Sequence, residues 1–393
     1  MRRRIPNLAI LVVAVALAGI AAGVALSACA PAPTPSPSAS FATPLPTSAP
    51  TASPTDAPTV VPTPIDVGPP SSRVTAFYYG WYGTPTIDGR WRHWAQGGHT
   101  PPEDLGAAFE PALGPYSSHD PIVLGRHMQE LLAARVGTIA VSWWGPGSFD
   151  DLGLPAIVEA AGSAGIGVAL HIEPYKGRTA ASIGRDIRAF VERYGDSPGI
   201  ARAARATKFG TSVAPRPVVY VYLPREVDEA GLRHAIDELR GTASDAIVLI
   251  QTTDLALVDR VHADGLYSYD VYALDGTTFD RLLTRCRDRN YLCSPSVGPG
   301  YDERRATPGD RAIDREAGAR YDAMWQRAIA AGAEWVSVTS FNEWHEGTQI
   351  EPALTPAATG YLDYEGAYGL TGPAAEPAYL DATARWVDRL EAP

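Results

Sequence analysis

The chain has 393 residues, 45% of them hydrophobic and 20% charged, which is the balance of an ordinary globular protein large enough for one big domain or two small ones. Its formal net charge of −11 leaves too little basic surface to neutralise phosphates and argues against a nucleic-acid partner.

Residues 1–29 begin with Arg2, Arg3 and Arg4, continue through an apolar run from Leu8 to Leu26, and end in small residues before Cys29. That is the order of an export signal. The tetrapeptide LSAC ending at Cys29 resembles a bacterial lipobox, whose cysteine is lipidated and becomes the new N-terminus. The apolar run also approaches the roughly 20 residues of a spanning helix, so an uncleaved anchor is the competing assignment; the cysteine at the cleavage position favours the lipoprotein. Either way the remainder is expected outside the cytoplasm, held at the bacterial cell membrane or secreted. Residues 30–72 are so rich in Pro, Ser and Thr that they cannot build helix or sheet ladders, and read as a disordered, extended spacer.

From residue 73 to residue 393 one pattern repeats. RVTAFYYGWY, VGTIAVSWW, IGVALHIEPY, PVVYVYLPR, AIVLIQTT, DGLYSYDVY, YLCSPSVGPGY and EWVSVTSFNEW are strand-like runs, separated by segments such as DPIVLGRHMQELLAAR and ARYDAMWQRAIAAGA with apolar residues every three or four positions. Eight strand–helix alternations predict a single α/β catalytic domain, a (β/α)8 TIM barrel; no G-x-G-x-x-G follows the first run to suggest a dinucleotide fold. Cys286 and Cys293, in RCRDRNYLCS, are placed to form a short disulfide between a helix end and the next strand, with two free thiols as the alternative.

Barrel sites lie at the C-terminal strand ends, and those ends carry Tyr79 and Trp81, Trp143 and Trp144, His171 and Glu173, Tyr267 and Tyr269, Tyr301, and Glu343 with Glu346. Polar and aromatic groups there are easier to explain as pocket lining than as core. Trp81, Trp91, Trp94, Trp143, Trp144 and Trp344 cluster near these ends, and flat rings with polar neighbours suit a sugar ring, which has an apolar face and a hydroxyl rim.

Glu343 and Glu346 are three residues apart across a turn, so both can face one cavity. Glycoside cleavage needs two acidic groups with different tasks, one protonating the departing oxygen and one acting at the anomeric side. A solvated helix start would also accept two acids, but Asn342, Trp344 and Gln349 around the pair favour a site. His171 and Glu173 share a strand face. With His345 and Glu346 they could ligate a metal, yet no H-E-x-x-H is present and hydrogen bonding to hydroxyls is preferred; no metal and no cofactor are expected.

The segments FYYGWYGTPTIDGRWRHW, LGPYSSHDP, VSWW, HIEPYKGR, DGLYSY, SVGPGY and SFNEWHEGTQIEPA occur in the order seen in glycoside hydrolase family 99, the endo-α-1,2-mannosidases and endo-α-1,2-mannanases, which the chain resembles from Arg73 to its end. The resemblance implies a metal-independent barrel that cleaves internal α-1,2-mannosidic bonds of mannan or mannose-rich glycans with retention, through the sugar's own 2-hydroxyl and a 1,2-anhydro intermediate. It places Glu343 against that hydroxyl and makes Glu346 the acid and then the base, which requires a pKa above the usual value of about 4.3. It also puts Tyr79, Glu173, Tyr269 and Asn342 in the −1 subsite and Trp144 at −2, where tryptophan accompanies mannan-degrading members.

This chain departs from the family in a short loop from Trp94 to Pro101, in His119 where arginine is common, and in DERRATPGDRAIDR where the family has I-R-P-W-N, so that Arg305 becomes the stand-in arginine. The leading expectation is a surface-anchored, monomeric glycosidase acting on an α-mannan or mannose-containing oligosaccharide. The competing one is a non-catalytic carbohydrate-binding lipoprotein on the same barrel, which would not need two acids ionising differently.

Overall fold

The computed structural model describes residues 68–392, and the export segment, Cys29 and the spacer up to residue 67 lie outside the described residues. The strands are β1 (Ser71–Tyr78), β2 (Val136–Trp143), β3 (Gly167–Ile172), β4 (Arg216–Val221), β5 (Ile247–Gln251), β6 (Gly265–Tyr267), β7 (Leu292–Ser294), β8 (Ser296–Val297) and β9 (Val336–Val338). From β1 to β7 each pairs in parallel with the next, and β9 pairs with β1, Val74 opposite Val336.

The sheet closes because one segment serves two neighbours. β7 pairs with β6 and, beyond Pro295, β8 pairs with β9. Proline cannot donate to a ladder, but its carbonyl accepts from the Ser337 amide at 3.0 Å, so the break costs only the missing donor. All eight runs predicted as strands therefore form the barrel wall, the seventh in two pieces.

A helix follows each turn of the wall: α1 (Pro121–Ala133), α2 (Phe149–Ala164), α3 (Ala180–Tyr194), α4 (Glu229–Asp237), α5 (Leu255–Val261), α6 (Phe279–Arg287), α7 (Ala319–Ala330) and α8 (Ala378–Glu391). Their starts are encoded locally. Asp120 caps α1 ahead of a proline at the first helical position, Ser148 caps α2, and Thr179 with Ser182 forms a reciprocal box at α3.

Because helices cover the outside and the barrel interior is filled, every residue of β2 and β4 is buried. The interior layer beneath the mouth holds Phe77, His171, Tyr220 and Tyr267, with ring centroids 4.9 Å apart for Phe77–His171 and 5.0 Å for Tyr220–Tyr267. Aromatic rings replace the branched aliphatics expected there and form the floor of the site.

Cys286, near the end of α6, is bonded to Cys293 in β7. The bond limits the unfolded chain. By the loop-closure relation an eight-residue loop contributes about 2.5 kcal/mol, so Cys286→Ser together with Cys293→Ser should lower the unfolding free energy by that amount, read as a lower urea midpoint. An unchanged midpoint would show that the link adds nothing to stability.

Candidate active site

The segment after β9 makes the site, and its path is fixed before any side chain reaches the cavity. Phe341 donates its amide to the Phe77 carbonyl at 2.8 Å, Ser340 and Thr348 bridge the base of the loop at 3.0 Å, and Ser340 Oγ accepts from the Glu343 amide at 2.8 Å. At the far end the Asp302 amide donates to the Glu346 carbonyl at 2.6 Å, and Arg315 Nη2 donates to the carbonyls of Gly347 and Gln349 at 2.8 and 2.9 Å. Gly347 sits at φ 61° against Asp302, where an added Cβ would lie 2.9 Å from the Asp302 nitrogen.

Three glutamates converge on this loop's inner side. Glu343 is 3% exposed and its Oε1 accepts from the His345 amide at 3.1 Å. Glu346 is half-buried, and Tyr269 donates its hydroxyl to Glu346 Oε2 at 3.3 Å while meeting the Tyr79 hydroxyl at 2.5 Å. Glu173, 4% exposed, accepts from Ser142 Oγ at 2.8 Å. The three carboxylates all act on the Tyr79 phenol, which together with its burial pushes the Tyr79 pKa up, so Tyr79 stands among them. Tyr269 reaches this point from left-handed backbone at φ 53°, its amide held by Ser296 Oγ at 2.7 Å and its carbonyl by Thr339 Oγ1 at 3.0 Å. A non-glycine residue held there is a mark of a functional site.

Electrostatics separate these acids from ordinary surface carboxylates. Burial, the Asp270 charge and the Glu303 charge push Glu346 up to about 7 against the opposing Tyr269 hydrogen bond and Arg311. Burial and the neighbouring Glu346 and Glu173 charges hold Glu343 well above the usual range. The Glu346 charge acts on Glu343, so the two carboxyls resist double ionisation and titrate as a pair.

Trp81 and Trp144 form the rim, with ring centroids 6.2 Å apart, and Trp81 also meets Tyr79 at 4.7 Å. Trp144 is 38% exposed, and its amide is clamped by Asp150 Oδ2 at 2.5 Å. Tyr301 donates to Glu303 at 2.6 Å and pairs with Ile313 in a short hairpin.

Other residues expected to touch a ligand are placed elsewhere. Trp344 is wholly buried and donates its indole N–H to Glu351 at 2.9 Å. Asn342 is wholly buried, and its amide both accepts from the Tyr79 N–H at 2.7 Å and donates to the Tyr79 carbonyl at 3.0 Å. His171, 1% exposed, lies beneath Glu173, its Nδ1 3.2 Å from Glu173 Oε1 and its Nε2 bonded to Tyr267 at 2.8 Å. Arg305 is drawn away to the Leu105 carbonyl at 3.1 Å and Asp104 at 2.5 Å, over the Tyr361 ring. Trp344, Asn342 and His171 thus support the lining, and Arg305 is a loop tie.

The guanidinium that acts on Glu346 belongs instead to Arg311, which pairs with Glu303 at 2.6 Å and lies over the rings of Tyr272 and Tyr301 at 5.3 and 5.4 Å. Sequence reasoning also passed over Tyr222, whose ring meets Tyr269 at 5.0 Å and whose phenol is pushed up by burial and by Glu346 and Glu173. Its position at a strand end, like that of Tyr79, was the available signal. His171, Glu173, His345 and Glu346 do not form a ligand set. Among the described residues, the trio with ligand atoms within 4.8 Å of one another is His127, Glu130 and Glu351, behind the loop, where Glu351 already accepts from His127, Tyr116 and Trp344.

The family model described as glycosyl hydrolase family 99 matches residues 70–392. A mouse glycoprotein endo-alpha-1,2-mannosidase-like protein is 34% identical over 359 residues, covering 81% of this chain and 76% of its own length. The Xenopus laevis glycoprotein endo-alpha-1,2-mannosidase is 33% identical and covers 82% and 78%. The solved structure of the GH99 endo-alpha-mannosidase from Bacteroides thetaiotaomicron superposes with a TM-score of 0.72 at 31% identity, over 82% of this chain and 98% of that one.

The loop's geometry makes a stability prediction. Gly347→Ala should cost about 1 to 3 kcal/mol, from positive φ together with the contact on Asp302. Gly114→Ala, at nearly the same positive φ (67°) but with nothing within 4 Å, should cost less. Urea denaturation of the two variants decides it; equal losses would mean that the Asp302 contact does not hold the loop.

Proposed function

The chain belongs to glycosyl hydrolase family 99 and is a glycoside hydrolase, and we propose that it is a retaining endo-α-1,2-mannosidase acting on mannan or a mannose-rich glycan at the cell surface. The observation that carries the proposal is the convergence of Glu343, Glu346 and Glu173 on the Tyr79–Tyr269 hydroxyl pair, with raised proton affinity at both loop acids. A binding protein would have no use for two neighbouring acids of raised proton affinity.

In an α-mannoside the 2-oxygen and the leaving oxygen are axial on opposite faces, so O2 can displace the aglycone in line. Glu343 takes the 2-hydroxyl proton, O2 bonds to C1, the C1–O bond to the aglycone breaks, and Glu346 gives its proton to the departing oxygen. Water then enters: Glu346 removes its proton, the hydroxide oxygen bonds to C1, the C1–O2 bond opens, and Glu343 returns the proton to O2. Two inversions give net retention. This route differs from the usual retaining scheme, in which a carboxylate bonds to C1. Tyr79, Tyr269 and Glu173 are assigned to the −1 sugar, Trp81 and Trp144 to the −2 face, and Tyr301 with Arg311 to the leaving side. Trp144 at the rim supports mannan rather than a glucosylated glycan. The basic tip, apolar run and Cys29 support lipid attachment to the membrane.

Incubation with α-mannan or Man-α-1,3-Man-α-1,2-Man should release a disaccharide that proton NMR first detects as the α anomer; first appearance of the β anomer would exclude retention. Glu343→Gln and Glu346→Gln should each lower kcat by roughly 10²–10⁴-fold, and near-normal turnover in either would remove its assigned role. The pH profile has a definite sign. Glu346 must be protonated to act as acid, so kcat/KM should fall as pH rises through about 7. On the acid side it falls as Glu343 takes up a proton, at a pH above the usual carboxylate range because Glu343 is also raised. A plateau extending well above neutrality would contradict the acid assignment.

A further inference from the structure

His345 is the loop residue that this reaction scheme leaves unused, and its surroundings fix where its hydrogen sits. Nε2 lies 3.0 Å from the main-chain oxygen of His93. A carbonyl only accepts, so Nε2 carries the hydrogen. The ring is 6% exposed and packs near Trp81, Tyr82 and His93, with centroids 5.8, 5.7 and 5.5 Å away. Burial opposes a second proton and pushes the ring's pKa down to about 4. Nδ1 is then a bare lone pair, and it stands 3.5 Å from Glu343 Oε1.

We propose that His345 is a positioning residue that sets the proton affinity of Glu343: its bare Nδ1, aimed at Oε1 by the His93 carbonyl, opposes the ionised carboxylate and offers a hydrogen-bond acceptor to the protonated one. The inference rests on the reading of Glu343 as the base at the 2-hydroxyl. A base that must take a proton from an alcohol gains from any feature that destabilises its charged form without adding a competing proton. A neutral imidazole in this tautomer does that, whereas an imidazolium would lower the base's pKa and weaken it.

The other groups facing Glu343 are Glu346, Glu173, Tyr79, Tyr82 and Tyr269. The two glutamates raise its pKa only while they are ionised, and Glu346 starts the reaction protonated. The lone pair of His345 acts throughout the cycle. The contact of 3.5 Å is long for a hydrogen bond, as such contacts are before substrate is loaded, and it shortens when the carboxyl carries the proton. His93 can brace the ring because its own backbone turns at φ 61° and its ring stacks on Trp81 at 4.5 Å and 7°.

Two measurements on the full chain test this. In protein labelled with ¹⁵N-histidine, the His345 imidazole signal, assigned by its loss in His345→Gln, should report the neutral Nε2–H form from about pH 5.5 to 8, and its Nδ1 shift should move in Glu343→Gln. His345→Gln keeps an N–H for the His93 carbonyl but loses the ring acceptor. It should lower kcat roughly tenfold with KM changed less than about twofold, and move the acid limb of kcat/KM to lower pH. An imidazolium or an Nδ1–H ring at neutral pH, or a His345→Gln profile that superimposes on that of the unaltered protein, overturns the proposal. The expected tautomer coupled to Glu343, in a protein that cleaves no α-1,2-mannoside, would instead count against the substrate reading.

Discussion

The site depends on one pairing across the seam where the barrel closes. Asn342, leaving β9, uses its side-chain amide as a strand would use a peptide group, accepting from the Tyr79 N–H and donating to the Tyr79 carbonyl. The two functional edges, one leaving β1 and one leaving β9, are thereby locked in register. Tyr79 stands beside Glu343 because its own main chain is bonded to the residue before Glu343. Tyr116 extends the lock: it donates to Glu351 and meets both Asn342 and Trp344, so the loop is held from behind by side chains that never reach the cavity. A constellation needed to within fractions of an ångström is built on strand ends and braced by a buried polar layer, which is how rigid placement is obtained.

That bracing also explains the electrostatics. Burying an ionised carboxylate away from a cation is costly, and here three glutamates are partnered mainly by hydroxyls and amides: Ser142 for Glu173, the His345 amide for Glu343, and Tyr269 for Glu346. Neutral donors stabilise the charge only in part, so the proton affinity of the loop acids stays high. A lysine or arginine paired directly with either acid would hold it ionised. Arg311 is kept at one remove because its charge is engaged by Glu303. Among the described residues neither loop acid has a close lysine or arginine partner, and the strand ends around them are populated by tyrosines.

The alternation of strands and helices was legible because the wall strands are largely buried on both faces and α1 to α5 each start at a side-chain cap, so local pattern and global fold agree. The acids were legible because polar residues at strand ends are costly unless they face a cavity. Which side a residue faces was not. Trp344 lies between two site residues in sequence, yet the turn that brings Glu343 and Glu346 together sends its ring inward. Asn342 has the chemistry of a sugar ligand and is consumed by the main chain instead. His171 shares a strand face with Glu173 but sits a layer deeper, in the aromatic floor. Arg305 and Arg311 are six residues apart in a loop with no periodicity, and only the partners Asp104 and Glu303 decide which of them faces Glu346. Long-range partners of this kind leave no trace in spacing.

The loop containing Arg311 divides the site in a way that bears on specificity. Tyr301 and Asp302 pair with Ile313 and Ala312 in a two-residue ladder, Asp302 is paired with Arg304, and Glu303 ties Tyr301 to Arg311. The unit is internally bonded and joins the catalytic loop through main-chain contacts, the Asp302 amide on the Glu346 carbonyl and Arg315 on the carbonyls beyond. Its side chains can therefore differ while the acids stay where they are. This is the segment in which the chain departs from the I-R-P-W-N pattern. The resulting guanidinium stands over Tyr301 and Tyr272 and acts on Glu346. The departure consequently changes the groups beside Glu346 and not the Tyr79–Tyr269 hydroxyl pair.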